Sequence, residues 1–157
     1  MKKITVIGAG AWGTALAQLL AASGRKTQIW AREDEVVEAV NKDHANPLFL
    51  PDFPLHGDLR ATSDLAEAAA AELILAVTPA QFLRPVMADL AAHMKPGVPV
   101  VICAKGIEKD SFALMSEVLS ETMPEAPQAG LSGPTFAIEV AKGLPTAVTL
   151  ACADEDL

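Results

Sequence analysis

The chain has 157 residues, a length typical of one domain, and 51% of them are hydrophobic, so it has enough apolar material for a substantial core. Its 12 basic and 20 acidic residues give a formal net charge of −8, which argues against a broad nucleic-acid-binding face, since phosphate backbones are bound by clustered lysine and arginine. No apolar run reaches the roughly 18 residues of a membrane span. The run after Met1 is too short for a signal peptide, so we expect a cytoplasmic protein.

Short apolar runs alternate with helical stretches along the chain. The apolar runs predict strands, in order, over 4–7, 27–30, 60–62, 73–77, 98–104, 126–131 and 146–152. Between them we predict helices over 11–22, 33–41 and 65–71, then one after Pro79, one from Ser111 and a short one ending at Lys142. Alternating strands and helices predict an α/β fold with a Rossmann-like, doubly wound, mainly parallel sheet.

Several details of these elements are predicted from single residues. Gly24 is expected to end the first helix, and Ser63 or Asp64 to cap the third. In the helix after Pro79, a stripe of apolar residues predicts that Phe82, Met87 and Met94 are buried, with Pro85 in the first regular turn. The helix from Ser111 is expected to turn Leu114, Met115, Val118 and Leu119 inward.

The segment 46–58 contains Pro47, Pro51 and Pro54 and is predicted to have no regular structure. It is interpreted as an exposed loop, either a mobile flap or a plain connection. Cys103 and Cys152 both lie in apolar runs and are expected to be buried. With isolated histidines and no zinc spacing, the sequence predicts no metal site.

The sharpest motif is the glycine-rich turn at 8–13, which matches G-x-G-x-x-G between a strand and a helix. Gly8 permits the tight turn, Gly10 lets a pyrophosphate approach the backbone, and Gly13 lets the helix pack closely on the strand. The N–H groups of the helix N-terminus would then face the phosphates. The structural alternative is a turn that only joins strand to helix.

The end of the second strand bears on the choice of cofactor. An NAD-selective site usually has an acidic residue there, about 20 residues beyond the glycines. Here Arg32 comes first and could pair with the 2′-phosphate of NADP, whereas Glu33 keeps NAD open. A solvated arginine is the structural alternative. We therefore expect NADP or NAD, with NADPH slightly favoured.

With these residues in hand, the chain resembles the N-terminal part of the bacterial-type, NAD(P)-dependent glycerol-3-phosphate dehydrogenases. The matching segments are 7–17, 29–32, 46–51, 76–79, 104–108, 131–137 and 143–147, which span nearly the whole chain. The segments around Lys105-Gly106 and Ser132-Gly133-Pro134-Thr135 are the most specific, since the glycine turn and the Pro79 region occur in many dehydrogenases.

The resemblance implies a parent enzyme that reduces dihydroxyacetone phosphate to glycerol 3-phosphate for phospholipid synthesis, with a homodimer as one expectation. It implies that the nucleotide is contacted by the glycine turn (Gly8, Gly10, Ala11, Trp12 and Gly13) and by Arg32, Lys105 and Ala137. It implies that the substrate is contacted by Lys105, Gly133 and Thr135. Trp12 could line the cofactor cleft or pack under the turn.

Two of these assignments have independent physical support. Lys105 follows a buried strand, and ligands of open parallel sheets bind beyond the carboxyl ends of the strands, where a lysine supplies charge for a phosphate. The segment 132–135 also follows a strand and is expected to open a helix with Pro134 in its first position. An ordinary surface lysine and a plain capped turn are the alternatives.

The resemblance also implies a second, helical domain that carries the lysine proton donor. No residue of this chain matches that lysine, so we interpret residues 1–157 as one dinucleotide-binding domain, a truncation or natural fragment that binds nucleotide with little or no turnover. Two other functions stay open. One is a two-domain dehydrogenase for a 3-hydroxyacid or sugar phosphate, and the other is a non-enzymatic nucleotide-sensing module.

Overall fold

The computed structural model describes residues 3–154 and contains nine strands and six helices within that range. The strands are β1 (Lys3–Ile7), β2 (Lys26–Trp30), β3 (Ala45–Asn46), β4 (Leu50–Pro54), β5 (Arg60–Thr62), β6 (Leu73–Ala76), β7 (Val100–Ile102), β8 (Gln128–Ser132) and β9 (Thr149–Cys152). The helices are α1 (Ala11–Ala22), α2 (Asp34–Asp43), α3 (Leu65–Ala69), α4 (Ala80–Ala91), α5 (Met115–Thr122) and α6 (Ala137–Ala141).

Seven strands form one sheet in the order β5-β2-β1-β6-β7-β8-β9. Every neighbouring pair is parallel except β8 and β9, which are antiparallel. The chain runs outward from β1 in both directions, so the strand order reverses between β1 and β6. The predicted α/β fold with a Rossmann-like, mainly parallel sheet is confirmed.

The sheet is covered on both faces, which is why its central strands are continuously apolar. Ile4 and Val6 of β1 belong to a core cluster shared with α1, α2 and α6. Ile7 belongs to a second cluster shared with α3, α4 and α5. Because successive side chains of β1 point to opposite faces, they contribute to two cores, one on each side of the sheet.

Two predicted helix ends are confirmed. Gly24 has a φ of 78° directly after the C-cap Ser23, and its N–H donates to the Ala21 carbonyl at 2.9 Å. Asp64 caps α3, because its Oδ1 accepts from the N–H of Ala66 at 2.8 Å.

The expectation that 46–58 has no regular structure is wrong over 46–54, although Pro47, Pro51 and Pro54 are exposed as expected. β3 and β4 pair as an antiparallel ribbon, and Asn46 is 0% exposed. Leu50 and Leu55 are buried against the α1 face of the sheet. The prolines are compatible with this ribbon because a two-stranded ribbon leaves half of the backbone N–H groups outside its ladder.

Two expectations for α4 are wrong. The helix begins at Ala80, directly after Pro79, so Pro85 lies inside it and removes only the bond that would reach the Gln81 carbonyl. Phe82 is 51% exposed, whereas Met87 is buried as predicted and Met94 packs partly buried against the core. Phe82 is exposed because it lies on the side of the first turn of α4 opposite to the buried Ala80 and Leu83.

Three expectations near the end of the chain are also wrong. α5 begins at Met115 and not at Ser111, so Leu114 precedes the helix and is 52% exposed. α6 begins at Ala137, which leaves Pro134 in the preceding loop. Cys152 is exposed because β9 is an edge strand in which all four residues are exposed, whereas Cys103 is buried as predicted. The single domain over residues 1–157 extends beyond the described range and stays a prediction.

Candidate functional site

A cleft of about 650 Å³ lies at the edge of the sheet where the parallel strands end. It opens between β1 and β6, the point at which the strand order reverses, which is where open α/β sheets bind ligands. Its wall comes from residues at or after the ends of five strands of the sheet and from Phe49 in the β3–β4 turn: Gly8, Gly10, Ala11, Trp12, Gly13, Trp30, Arg32, Glu33, Phe49, Val77, Thr78, Pro79, Phe82, Val86, Cys103, Ala104, Lys105, Thr135, Phe136 and Ala137.

The glycine turn forms the base of this cleft, and its three glycines differ in their surroundings. Gly8 has a φ of 116°, and a Cβ there would lie 3.0 Å from the backbone of Val77 and Thr78. A Cβ on Gly13 would lie 1.9 Å from the Gly8 carbonyl oxygen. A Cβ on Gly10 would meet nothing within 4 Å, because Gly10 faces the open cleft.

The N-terminus of α1 supplies donors to the same place. Gly10 is the N-cap, has no side chain to cap the helix, and accepts from the Thr14 N–H at 2.9 Å. The N–H groups of Ala11, Trp12 and Gly13 belong to the first turn and have no partner within the helix. Together with the helix dipole they form an anion-binding site, which fits the pyrophosphate of a dinucleotide.

Two buried polar atoms of the cleft wall also fit a polar ligand. Trp12 Nε1 and Thr78 Oγ1 have no hydrogen-bond partner among the described residues. Buried polar atoms are rarely left unpaired, since each lost partner costs roughly 1–3 kcal/mol. The cleft volume also falls within the usual range of ligand pockets, about 300–1,000 Å³.

Arg32 and Glu33 lie just beyond the end of β2 and both line the cleft. Arg32 is exposed, and Glu33 is the N-cap of α2 but makes no capping hydrogen bond with its side chain. A cation and an anion are thus adjacent at one end of the cleft. That Arg32 pairs with a 2′-phosphate while Glu33 keeps NAD open stays a prediction.

Lys105, Gly133 and Thr135 come together at the other end. Lys105 Nζ donates to the Gly133 carbonyl oxygen at 3.4 Å, and Thr135 lines the cleft beside it. Gly133 itself is not among the lining residues, and a Cβ on it would lie 2.4 Å from the Ala147 carbonyl oxygen. The two loops after β7 and β8 therefore meet at a lysine.

The loop that carries Lys105 is held by α4. Arg84 donates from Nε to Glu108 Oε1 at 2.9 Å and from Nη1 to Glu121 Oε2 at 2.6 Å. Gln81 Nε2 donates to the Ile107 carbonyl oxygen at 3.0 Å. Hydrogen bonds from Arg84 and from the Ser111 hydroxyl lower the pKa of Glu108 to about 2, and the pKa of Arg84 is raised in turn.

Cys103 also lines the cleft, but it is not a nucleophile at neutral pH. Burial raises the pKa of its thiol to about 12, so the sulfur stays protonated. Its Sγ lies 3.7 Å from the Val101 carbonyl oxygen.

All the residues predicted to contact the nucleotide line this one cleft, although their binding roles stay predictions. Sequence reasoning missed Phe49, Thr78, Phe82 and Phe136. Thr78 and Phe82 carry a usable signal, because they follow the end of a buried strand as Lys105 does. Phe49 carries none, since only the ribbon of β3 and β4 brings it to the cleft.

Residues 3–154 contain neither a helix fit to span a membrane nor a metal-ligating cluster. No helix within residues 3–154 is long and apolar enough to cross a membrane. In the same range, no group of three or more His, Cys, Asp or Glu side chains is arranged to hold a metal ion.

Comparison with known proteins identifies close relatives of the chain. The family model described as "NAD-dependent glycerol-3-phosphate dehydrogenase N-terminus" matches residues 3–157. A glycerol-3-phosphate dehydrogenase [NAD(P)+] from Parvibaculum lavamentivorans is 60% identical over 98% of this chain and 46% of its own length. One from Paramagnetospirillum magneticum is 56% identical over 100% of this chain and 57% of its own length.

A solved structure agrees with these relatives. The crystal structure of glycerol-3-phosphate dehydrogenase from Coxiella burnetii superposes with a TM-score of 0.92 at 34% identity, covering 99% of this chain and 48% of that one. The chain thus spans about half the length of the relatives it matches.

Proposed function

The chain belongs to the family of NAD-dependent glycerol-3-phosphate dehydrogenase N-terminal domains, and from that premise we propose that it is the cofactor-binding part of an enzyme that reduces dihydroxyacetone phosphate to glycerol 3-phosphate. The observation that carries the proposal is the single cleft that gathers the glycine turn, Arg32, Lys105, Thr135 and Ala137. These residues come from four separate parts of the chain, and each matches a position that the family resemblance assigns to cofactor or substrate.

In this proposal the glycine turn and the N-terminus of α1 hold the pyrophosphate. The unpaired first-turn N–H groups donate to it, and the bare Gly10 allows it to approach the backbone. Trp12 Nε1 and Thr78 Oγ1 offer two further polar contacts. The nicotinamide, when bound, supplies the hydride for the carbonyl carbon.

Lys105 and the loop after β8 hold the substrate in this proposal. The Lys105 ammonium is exposed in the cleft and supplies positive charge for a phosphorylated substrate. The Gly133 carbonyl that Lys105 contacts also accepts from the Thr135 N–H at 3.0 Å, and the Thr135 hydroxyl can orient a polar substrate. The proton that the carbonyl oxygen needs is expected from residues outside this chain, as the resemblance implies.

Arg32 is proposed to favour NADPH over NADH. Its guanidinium is exposed at the end of the cleft that lies beyond β2, where the ribose of the adenosine half binds in dinucleotide folds. The finer expectations of a cytoplasmic location and of a homodimer rest on the sequence and on the resemblance alone.

The proposal is tested by calorimetric titration of the chain with NADPH and NADH. Replacing Arg32 by alanine (Arg32→Ala) should weaken NADPH binding selectively by roughly 1.5–3 kcal/mol, the worth of a hydrogen bond between charged groups. Arg25→Ala is the matched control, since Arg25 is also exposed but lies outside the cleft. Its affinities should equal those of the wild type.

Two results would count against the proposal. Equal losses for both cofactors in Arg32→Ala would show that Arg32 meets no 2′-phosphate. A wild-type chain that binds neither NADPH nor NADH would refute the cofactor-binding function itself.

A further inference from the structure

A buried amide connects the ribbon of β3 and β4 to the glycine turn. Asn46 is 0% exposed, and its Nδ2 donates to the Ala9 carbonyl oxygen at 2.9 Å and to Thr14 Oγ1 at 2.8 Å. The Thr14 hydroxyl in turn donates to the same Ala9 carbonyl oxygen at 3.1 Å. Two side chains thus converge on one carbonyl between Gly8 and Gly10.

The direction of that carbonyl determines the direction of the next N–H. In a planar trans peptide the C=O of Ala9 and the N–H of Gly10 point in opposite directions. The carbonyl is turned toward the buried Asn46 and Thr14, so the Gly10 N–H is turned away from them, on the side where Gly10 lines the cleft. That N–H has no hydrogen-bond partner within residues 3–154.

The other end of the same amide holds a second part of the cleft wall. Asn46 Oδ1 accepts from the Phe49 N–H at 3.2 Å, and Phe49 lines the cleft. Each of these Asn46 hydrogen bonds therefore involves a residue that lines the cleft or lies next to it.

We propose that Asn46 is a positioning residue for the dinucleotide, because it orients the Ala9–Gly10 peptide so that the Gly10 N–H faces the pyrophosphate. The proposal rests on the proposed cofactor-binding function and deepens it. It assigns to residue 46 a role in a turn more than 30 residues earlier in the chain.

The first test measures the dissociation constants of NADPH and NADH for Asn46→Ala by calorimetry. Both constants should rise by the same factor, about tenfold, because the pyrophosphate is common to both cofactors. An unchanged affinity in folded Asn46→Ala overturns the proposal. If the wild-type chain binds neither cofactor, the proposed function fails first, and the two failures are thereby distinguished.

Asn41→Ala is the matched control. Asn41 also bonds to a backbone at both ends of its amide, donating to the Ala61 carbonyl at 2.9 Å and accepting from the Ala61 N–H at 2.9 Å. It lies outside the cleft, so Asn41→Ala should lower the temperature of unfolding and leave the affinities unchanged. Equal losses of affinity in both variants would show a merely structural effect and overturn the proposal.

A second variant separates positioning from packing through pH. In Asn46→Asp the ionised carboxylate cannot donate to the Ala9 carbonyl, whereas the protonated carboxyl can. Burial favours the protonated form, so the loss of affinity relative to the wild type should shrink as pH falls from about 8 to about 5. The acid-stable NAD+ serves as the ligand, and a pH-independent loss overturns the proposal.

If the substituted chains do not fold, the role of Asn46 can be tested on the wild-type chain. Coupling between binding and this hydrogen bond is reciprocal, so NAD+ should slow hydrogen exchange at the Asn46 side-chain amide, measured by NMR. The Asn41 amide should be unaffected. An Asn46 exchange rate that NAD+ leaves unchanged overturns the proposal.

Discussion

Single residues in the glycine turn are constrained in different ways, although all are glycines. A Cβ on Gly13 would lie 1.9 Å from the Gly8 carbonyl oxygen, closer than any real contact. Gly10 has an ordinary φ of −64° and open space where a side chain would be. Gly13 is therefore required by the fold, whereas Gly10 is required only if a ligand comes close to it.

Alanine at each position should separate these two requirements. Gly13→Ala should lower the free energy of unfolding by roughly 1–3 kcal/mol or more, since the backbone must shift to admit the methyl group. Gly10→Ala should change it by less than about 1 kcal/mol, the range of N-cap substitutions. Yet Gly10→Ala should weaken nucleotide binding at least about tenfold, because its methyl group enters the cleft.

Urea denaturation and calorimetric titration of both variants measure these two quantities. We expect Gly13→Ala to lose mainly stability and Gly10→Ala to lose mainly affinity for the nucleotide. A Gly10→Ala chain that binds NADPH like the wild type would mean that no phosphate approaches the turn at Gly10.

At the scale of elements, α4 and the loop after β7 act as a unit. Arg84 bonds to Glu108 on the loop and to Glu121 on α5, so one guanidinium joins three segments. The Glu108 side chain is 13% exposed and that of Arg84 34%, which leaves the pair partly open to solvent. The loop carries Lys105 at its start, so this ion pair sets the shape of the segment that enters the cleft.

Acid should weaken this connection. The pKa of Glu108 is about 2 in the folded chain and 4.5 for an ordinary glutamate, so the folded state favours the ionised form. Its stabilising contribution is complete above pH 4.5 and is lost as the pH falls toward 2. Glu108→Gln should therefore have a lower thermal midpoint than the wild type at pH 7, and the difference should shrink toward pH 2.

Glu125→Gln is the control for this series, because Glu125 is exposed and has no recorded ion pair in the described part of the chain. Its thermal midpoint should follow that of the wild type at each pH. A difference between Glu108→Gln and the wild type that stays constant down to pH 2 would show that the charge of Glu108 contributes nothing.

At the scale of the whole molecule, the parallel sheet brings the carboxyl ends of five strands to the cleft. The described residues of this edge supply phosphate donors, two cations and the Thr135 hydroxyl. Within the cleft the thiol of Cys103 is held protonated, with a pKa of about 12 that makes it a poor proton donor to an alkoxide-like oxygen at neutral pH. The arrangement is suited to binding a phosphorylated ligand.

We expect the chain to bind cofactor and to turn over dihydroxyacetone phosphate very slowly. Without a positioned general acid the rate should be at least about a hundredfold below that of a complete enzyme. The decrease of NADPH absorbance measures it, with the full-length relative from Parvibaculum lavamentivorans as the comparison, since it is 60% identical over the shared part. Comparable rates for the two proteins would contradict the expectation.

Local patterns were sufficient for much of the fold. The β-branched run before Gly8 predicted β1, and the periodicity of the next stretch predicted α1. Helix ends marked by Gly24 and Asp64 were also predicted, because a cap is a property of a few adjacent residues. Lys105 lines the cleft, as both the family resemblance and its position after a strand predict.

The errors lie where burial depends on residues far along the chain. Phe82 fits an apolar stripe, yet it lines the open cleft and is exposed. Cys152 is apolar in sequence, yet its strand lies at an edge. The start of α5 was misplaced because residues before it pair across a bridge from Ile107 to Leu114.

The sequence by itself determined the strand–turn–helix unit, the alternation of elements and the family, because each of these depends on near neighbours or on motifs in fixed order. The folded structure alone shows that Asn46 and Leu50 are the buried residues of a paired ribbon, that Asn46 reaches Ala9, and that Phe49 joins the cleft. A buried amide finds its hydrogen-bond partner through the packing of the whole chain. The spacing of residues along the sequence does not specify which residues pack together.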